Sequence, residues 1–198
     1  MKPDEYLKPR KLPRHLQPTP APEEFAFSIR DAVAADLPAV REIYNYYVTN
    51  SSVTFDESTW TLKQFKEKFA HLTKLGLPFI VAVSPSNQVL GYALLSQWRP
   101  KSAYRFTTEN SIYLGPSASG KGIGRALLTE LIARGEAAGI RQILAVISDK
   151  GAEASIALHE KLGFVEVGRM GRVGFKFDRW LGTIILQKEL PKPRKHPR

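Results

Sequence analysis

Apolar and polar positions divide this chain into short elements separated by glycine, proline and polar breaks. Residues 25–30 alternate apolar and polar, as a half-buried strand does. From Asp36 to Val48, Leu37, Val40, Ile43, Tyr44 and Tyr47 recur at helical spacing, with Pro38 acceptable in a first turn. Residues 50–55 form a polar break ending in Phe55. Thr61 followed by Gln64 has the form of a capping box and predicts a helix to about Leu75, stopped at Gly76. Residues 79–84 and 89–98 read as a hairpin turning on Pro85-Ser86-Asn87-Gln88. A polar stretch, residues 99–105, leads into a strand at about 107–114. A glycine turn then opens a helix carrying Leu127, Leu128, Leu131 and Ile132, which runs to Ala138 and stops at Gly139. Residues 141–148 are almost continuously apolar, the pattern of a strand covered on both faces. A helix over 152–162 ends at Gly163, and strands follow near 164–168 and 181–190. The predicted order is β-α-α-β-β-β-α-β-α-β-β, an α/β chain without repeats.

The turn between the 107–114 strand and the next helix carries candidate chemistry. Gly120, Gly122 and Gly124 remove side chains that would hold the backbone away from a bound group. The first amides of a helix lack intrahelical acceptors, and the helix dipole adds partial positive charge there. Lys121 and Arg125 add full charges, so the turn suits phosphate. Three phosphate-binding patterns compete. A dinucleotide turn needs a third glycine where Leu127 stands. Residues 115–121 spell G-x-x-x-x-G-K, but Gly122 replaces the Ser or Thr that holds Mg²⁺ in a P-loop. The pyrophosphate turn of coenzyme A transferases, Q/R-x-x-G-x-G/A, fits Gly122-Ile123-Gly124 with Ser119 in its first position. A tight turn without a ligand is disfavoured by three glycines and two cations within six residues.

Composition narrows the classes. At 198 residues and 43% hydrophobic content the chain suits one domain with a substantial core. No segment approaches the ~20 apolar residues of a membrane span. The absence of cysteine excludes disulfides, thiolate metal sites and a cysteine nucleophile, and fits a reducing cytoplasm. Four scattered histidines show no metal-ligand spacing, so no metal is expected. The net charge is +10, part of it in a basic, proline-rich tail at 191–198 that reads as disordered. Residues 1–24 form a proline-rich arm without the apolar run of a signal peptide. The domain is expected over 25–190, and its remaining positive excess suits a polyanionic ligand.

Several motifs together resemble one family. Residues 98–113, WRPKSAYRFTTENSIY, look like the W/F-R-x-R-x-A-Y-R-x-T-x-E-x-S-V-Y of phosphinothricin and methionine-sulfoximine N-acetyltransferases. Residues 155–164, SIALHEKLGF, resemble their S-x-x-x-H-E-x-L-G-F/Y, and Gly174-Phe175-Lys176 with Trp180 resembles their G-F-K-x-x-x-W. The element order over roughly 25–190 is similar to that of the parent GNAT superfamily of acetyl-CoA-dependent N-acetyltransferases. The resemblance implies a mixed sheet of about seven strands with helices on both faces and parallel central strands splayed at the acetyl-CoA site. It also implies a homodimer, and coenzyme contacts from Ile112, Tyr113, Leu114, Ser119, Gly120, Lys121, Gly122, Ile123, Gly124, Arg125 and Ser155. Two departures stand out: Ser119 replaces Gln or Arg, and Ala152 replaces an Asn that often contacts the pantetheine region.

Acetyl transfer from a thioester needs a deprotonated amine, a stabilised oxyanion and a thiolate that can leave. Glu109 is the candidate base, because glutamate is depleted in strands and alternation puts it on one face with Ser111 and Tyr113. The resemblance puts the catalytic carboxylate at the same position. Strand amides around Tyr113 are expected to meet the oxyanion. His159 occupies the place where many GNAT enzymes carry a thiolate-protonating tyrosine. Arg99, Lys101 and Arg105 are candidates for a substrate carboxylate or second oxygen group, with Tyr104 and Phe55 as an apolar wall. The expected acceptor is the amine of a small amino acid or analogue. The alternative within the family is a protein N-terminus, a lysine or another amine. A nucleic-acid binder and a P-loop nucleotidase are the readings from other classes; no nucleic-acid or membrane partner is expected.

Overall fold

In the computed structural model, which describes residues 25–191, the predicted elements appear in the predicted order. They are β1 (Ser28–Asp31), α1 (Leu37–Asn50), α2 (Leu62–Lys74), β2 (Phe79–Val83), β3 (Val89–Gln97), β4 (Thr107–Leu114), α3 (Ile123–Ala137), β5 (Gln142–Ser148), α4 (Glu153–Lys161), β6 (Val165–Lys176) and β7 (Arg179–Glu189). The arm at 1–24 and the tail beyond Pro191 lie outside the described residues. Among the described residues, no helix is long and apolar enough to cross a membrane.

Local chemistry accounts for most boundaries. Thr61 accepts from the Gln64 amide while the Gln64 side chain accepts from the Thr61 amide, so the capping box forms as read. Pro38 sits in the first turn of α1, where its missing N–H is an orphan in any case. Two boundaries differ from the pattern reading by more than two residues. The first strand starts at Ser28 rather than residue 25, and β6 runs to Lys176 rather than stopping near 168. Gly168, Gly171 and Gly174 blur the alternation in β6, and its register shifts between Met170 and Gly174 around Arg172, whose φ is 55°. Phe177 and Asp178, both at positive φ, close the β6–β7 hairpin where Asn-Gly is the recognisable signal.

The seven strands make one sheet in the order β1-β2-β3-β4-β5-β7-β6. All pairings are antiparallel except β4 with β5. Alternation sends Ile80, Ala82, Ala93 and Leu95 to one face, where Leu127, Leu128 and Leu131 of α3 bury against them. The other face sends Val81, Val83, Tyr92 and Leu94 against Leu37, Val40 and Ile43 of α1 and Phe65 and Leu72 of α2. Two cores on one sheet hold its middle strands rigid, and this positions the site.

The β4–β5 pairing is short. It holds at Thr107↔Gln142, Thr108↔Ile143 and Glu109↔Leu144 and then ends. Beyond it, β4 stays on β3 as far as Leu114↔Gly91, while β5 stays on β7 as far as Ser148↔Thr183. The two strands part immediately after Glu109.

Candidate active site at the parting of two strands

Two cavities open at this fork. One, of about 270 Å³, lies on the α1–α2 side and is walled by Tyr44, Phe55, Trp60, Lys68 and Thr183 among others. The second, of about 310 Å³, runs between β4 and β5 toward the start of α3 and along α4. Val53, Glu109, Ser111, Tyr113 and Val146 line both. Glu109 therefore stands where the cavities meet.

Backbone alternation fixes which amides face the fork. Trp98 donates to the Thr107 carbonyl and Gly115 donates to the Leu90 carbonyl, so odd-numbered residues of β4 turn their polar groups toward β3. The Ile112 and Leu114 N–H groups then point toward β5, which has already diverged. The Tyr113 amide, the centre of the sequence expectation, faces β3. Its ring instead lines both cavities and packs edge-on to Tyr44 at 5.2 Å. Tyr47 donates to the Leu114 carbonyl at 2.8 Å and pins α1 to the end of β4.

The predicted phosphate turn begins at the far end of the second cavity. Gly122 caps α3 with φ 77° and no side-chain cap, leaving the first amides of the helix free. Ser119 and Gly124 line the cavity, while Gly120, Lys121, Gly122 and Arg125 are exposed around it. The Ile123 side chain is fully buried and anchors the turn, so this residue offers no side chain to a ligand. A Cβ on Gly124 would meet Leu114 and Leu158 only at ordinary contact distance, 3.5 Å. Packing does not demand that glycine, whose missing side chain leaves the cavity open beside it. Ser155 and Ala152 also line the cavity, and Ala152 brings no polar atom to it.

Burial raises the Glu109 pKa, and the positive charges of Lys68 and Arg99 oppose that rise. His159 is 1% exposed and packs edge-on to Phe164. Its Nδ1 donates to the Ser155 carbonyl at 2.7 Å, and its Nε2 accepts from the Asn110 amide at 2.9 Å. Burial holds its pKa down, so the ring is neutral with both nitrogens engaged. The expected proton-donating imidazole is thus, in this geometry, a satisfied one that holds Asn110 in place. Asn110 is a site residue that the sequence reading passed over. Its Oδ1 is buried without a partner beside the cavity, although asparagine, like glutamate, is depleted in strands.

The substrate residues expected from the 99–105 loop do not assemble. Arg99, Lys101, Tyr104 and Arg105 line neither cavity. Arg99 stacks on Trp98 and Arg105 on Phe106, and all four are exposed. Only Phe55 reaches the site. Its ring lies over Gly174, where an added Cβ would come within 2.5 Å of it. Lys176, 3% exposed, donates from Nζ to the Ser51 and Thr54 carbonyls at 2.9 Å each. The Gly174-Phe175-Lys176 motif therefore acts by clamping the 51–55 loop onto the cavity. Asp56 supports the same wall, accepting from the Tyr44 hydroxyl at 2.5 Å and from Trp60 Nε1 at 2.7 Å.

Comparison with known proteins gives the family. Residues 40–164, more than half of the chain, match the model of the Acetyltransferase (GNAT) family. The chain is 41% identical over 165 residues to a phosphinothricin N-acetyltransferase of Alcaligenes faecalis, covering 83% of each. It is 41% identical over 170 residues to an L-methionine sulfoximine/L-methionine sulfone acetyltransferase of Pseudomonas aeruginosa, covering 86% of this chain and 98% of that one. A crystal structure of a GNAT superfamily phosphinothricin acetyltransferase from Sinorhizobium meliloti in complex with acetyl-CoA superposes with TM-score 0.80 at 45% identity, covering 85% and 94%.

The clamp can be tested by itself. Lys176→Met removes two charge-assisted hydrogen bonds and is expected to lower the unfolding free energy by about 2–4 kcal/mol in urea denaturation. An unchanged midpoint would contradict the clamp.

Proposed function

The chain belongs to the GNAT acetyltransferase family, and we propose that its acceptor is the α-amine of a small amino acid or analogue of the phosphinothricin, methionine sulfoximine or methionine sulfone type. Acetyl-CoA is the acetyl donor. The observation that carries the reading is the meeting of two cavities at Glu109, one open to the coenzyme turn and one walled by aromatic rings. The walled cavity is small, and a compact amino acid suits it better than a protein segment. Alcaligenes and Pseudomonas relatives named for such substrates support the same choice.

The residues divide the chemistry as follows. Free amides at the start of α3, with Lys121 and Arg125, hold the diphosphate. The cleft between β4 and β5 takes the pantetheine arm and brings the thioester to the fork. Glu109 removes one proton from the substrate ammonium, and the freed amine attacks the thioester carbon. The Ile112 amide receives the oxyanion, and the Leu114 amide, roughly 6.6 Å farther along the strand, is left for the pantetheine arm; a donor at the oxyanion is worth about 3–4 kcal/mol. The C–S bond breaks, and the second proton, lost from nitrogen as the amide forms, goes to the departing sulfur. A base with a raised pKa shares protons with an amine more effectively than an ordinary carboxylate.

Two broader features belong to this proposal. A homodimer is supported by β6, an edge strand whose Val165, Val167, Val173 and Phe175 are each more than half exposed. Such an edge aggregates unless something covers it, and a second copy is a self-complementary cover. The cytoplasm is the proposed compartment, a reading supported by a chain of 198 residues that uses no cysteine.

Three outcomes follow from this assignment. Glu109→Gln is expected to lower kcat by about 10²- to 10⁴-fold with acetyl-CoA affinity nearly unchanged. In the wild type, kcat/KM should fall on acidification through a Glu109 ionisation above the ordinary 4.5, and the variant should lose that limb. A profile identical in both proteins would remove the base from Glu109. Gly124→Val should weaken acetyl-CoA binding by roughly tenfold or more, about 1.4 kcal/mol; unaltered affinity by calorimetry would move the pyrophosphate elsewhere. Light scattering should give twice the chain mass of 22.2 kDa, and Val173→Asp with Phe175→Asp should halve it. A wild-type monomer would refute the dimer.

A further inference from the structure

Two partly or fully buried lysines flank the amine-side cavity, and they differ in one respect. Lys176 has its ammonium bonded to two carbonyls. Lys68 has no such partners: among the described residues its ammonium enters no ion pair and no hydrogen bond. It stands on α2 at the edge of the inward stripe made by Phe65, Phe69 and Leu72, where an apolar residue would be ordinary. Its Nζ lies 5.4 Å from the centre of the Trp60 ring, and the residue lines the 270 Å³ cavity together with Glu109.

A half-buried cation without a contacting anion is unfavourable unless something supplies the charge. Two carboxylates are near enough for their fields to reach it, those of Glu109 and Asp56. Neither makes contact. Asp56 is occupied by Tyr44 and Trp60. A direct ion pair with Glu109 would depress the basicity that the reaction uses. The face of Trp60 holds the ammonium through its ring quadrupole, which leaves the N–H donors available to the cavity. An amino-acid zwitterion has the matching charges, an ammonium for Glu109 and a carboxylate for Lys68.

We propose that Lys68 of α2, held over Trp60 in the cavity that Glu109 also lines, is the anchor for the substrate carboxylate. This rests on the amino-acid reading above. It transfers carboxylate recognition from Arg99, Lys101 and Arg105, which line neither cavity, to a helix that the motif matches did not include. Lys68 acts as a specificity determinant: it distinguishes an amino acid from the corresponding simple amine and takes no part in proton transfer.

The test compares methionine sulfone with its decarboxylated counterpart, 3-(methylsulfonyl)propylamine, by thiol release from acetyl-CoA. The readout is the ratio of their kcat/KM values. Lys68→Met is expected to lower the preference for the amino acid by about 10- to 100-fold, the loss of one charge-assisted hydrogen bond. Lys68→Arg, which keeps the charge, should retain most of that preference. A role limited to tuning Glu109 would depress both substrates alike and leave the ratio unmoved, which would overturn the anchor. So would a tenfold loss of preference in Arg99→Ala with none in Lys68→Met. If the wild-type enzyme acetylates simple amines but no amino acid, the substrate reading falls and the anchor with it. Wild-type turnover of methionine sulfone with an unaffected Lys68→Met ratio removes the anchor alone.

Discussion

The site depends on one interrupted ladder. A sheet interior normally leaves no unpaired amide, because a buried polar group without a partner costs a large part of a protein's stability margin. Here β4 and β5 stop pairing after Glu109↔Leu144 and diverge. The fold tolerates this because each strand remains paired on its other edge, β4 to β3 and β5 to β7. The gap thereby gains backbone donors held by two rigid ladders rather than by a loop. Donors of that kind need no reorganisation when charge develops, the condition under which oxyanion stabilisation is large.

Charge around the fork is arranged with similar economy. Burial makes Glu109 a stronger base, and the more distant cations keep the rise in check. Among the described residues neither Glu109 nor Lys68 makes a contact ion pair, while three of the groups that shape the walls have their partners. Asp56 is held by Tyr44 and Trp60, Lys176 by two carbonyls and His159 through both ring nitrogens. These three are engaged, whereas Glu109 and Lys68 are left open to the cavity. Such a distinction separates His159 from Glu109 although both occupy positions marked by the family motifs.

The fold was readable because its elements obey local rules. The capping box at Thr61, the 3.6-residue spacing in α1 and α3 and the apolar run of β5 each specify one answer. The strand-to-helix turn that opens α3 was equally plain, and its glycines and cations at a helix start support the proposed anion site. The errors have physical causes. The β6–β7 turn is made by Phe177 and Asp178 in a conformation whose usual signature is Asn-Gly, so β6 appeared shorter than it is. The cationic 99–105 loop reads as a carboxylate receiver, but sequence proximity to Glu109 does not reveal that Arg99 and Arg105 stack on neighbouring rings outside the linings of both cavities. Lys68 did leave a trace: it interrupts the stripe containing Phe65 and Leu72. In one dimension that trace is indistinguishable from the solvated lysines beside it.

The central claim is that main-chain amides exposed where β4 leaves β5, together with those opening α3, hold acetyl-CoA beside Glu109. Amide hydrogen exchange on the intact protein, with and without acetyl-CoA, measures this most directly. Saturating coenzyme should slow exchange at Ile112, Leu114 and the first amides of α3, while the remote segment from Thr73 to Phe79 exchanges as before. Protection spread evenly over the sheet, or absent from β4, would contradict the account.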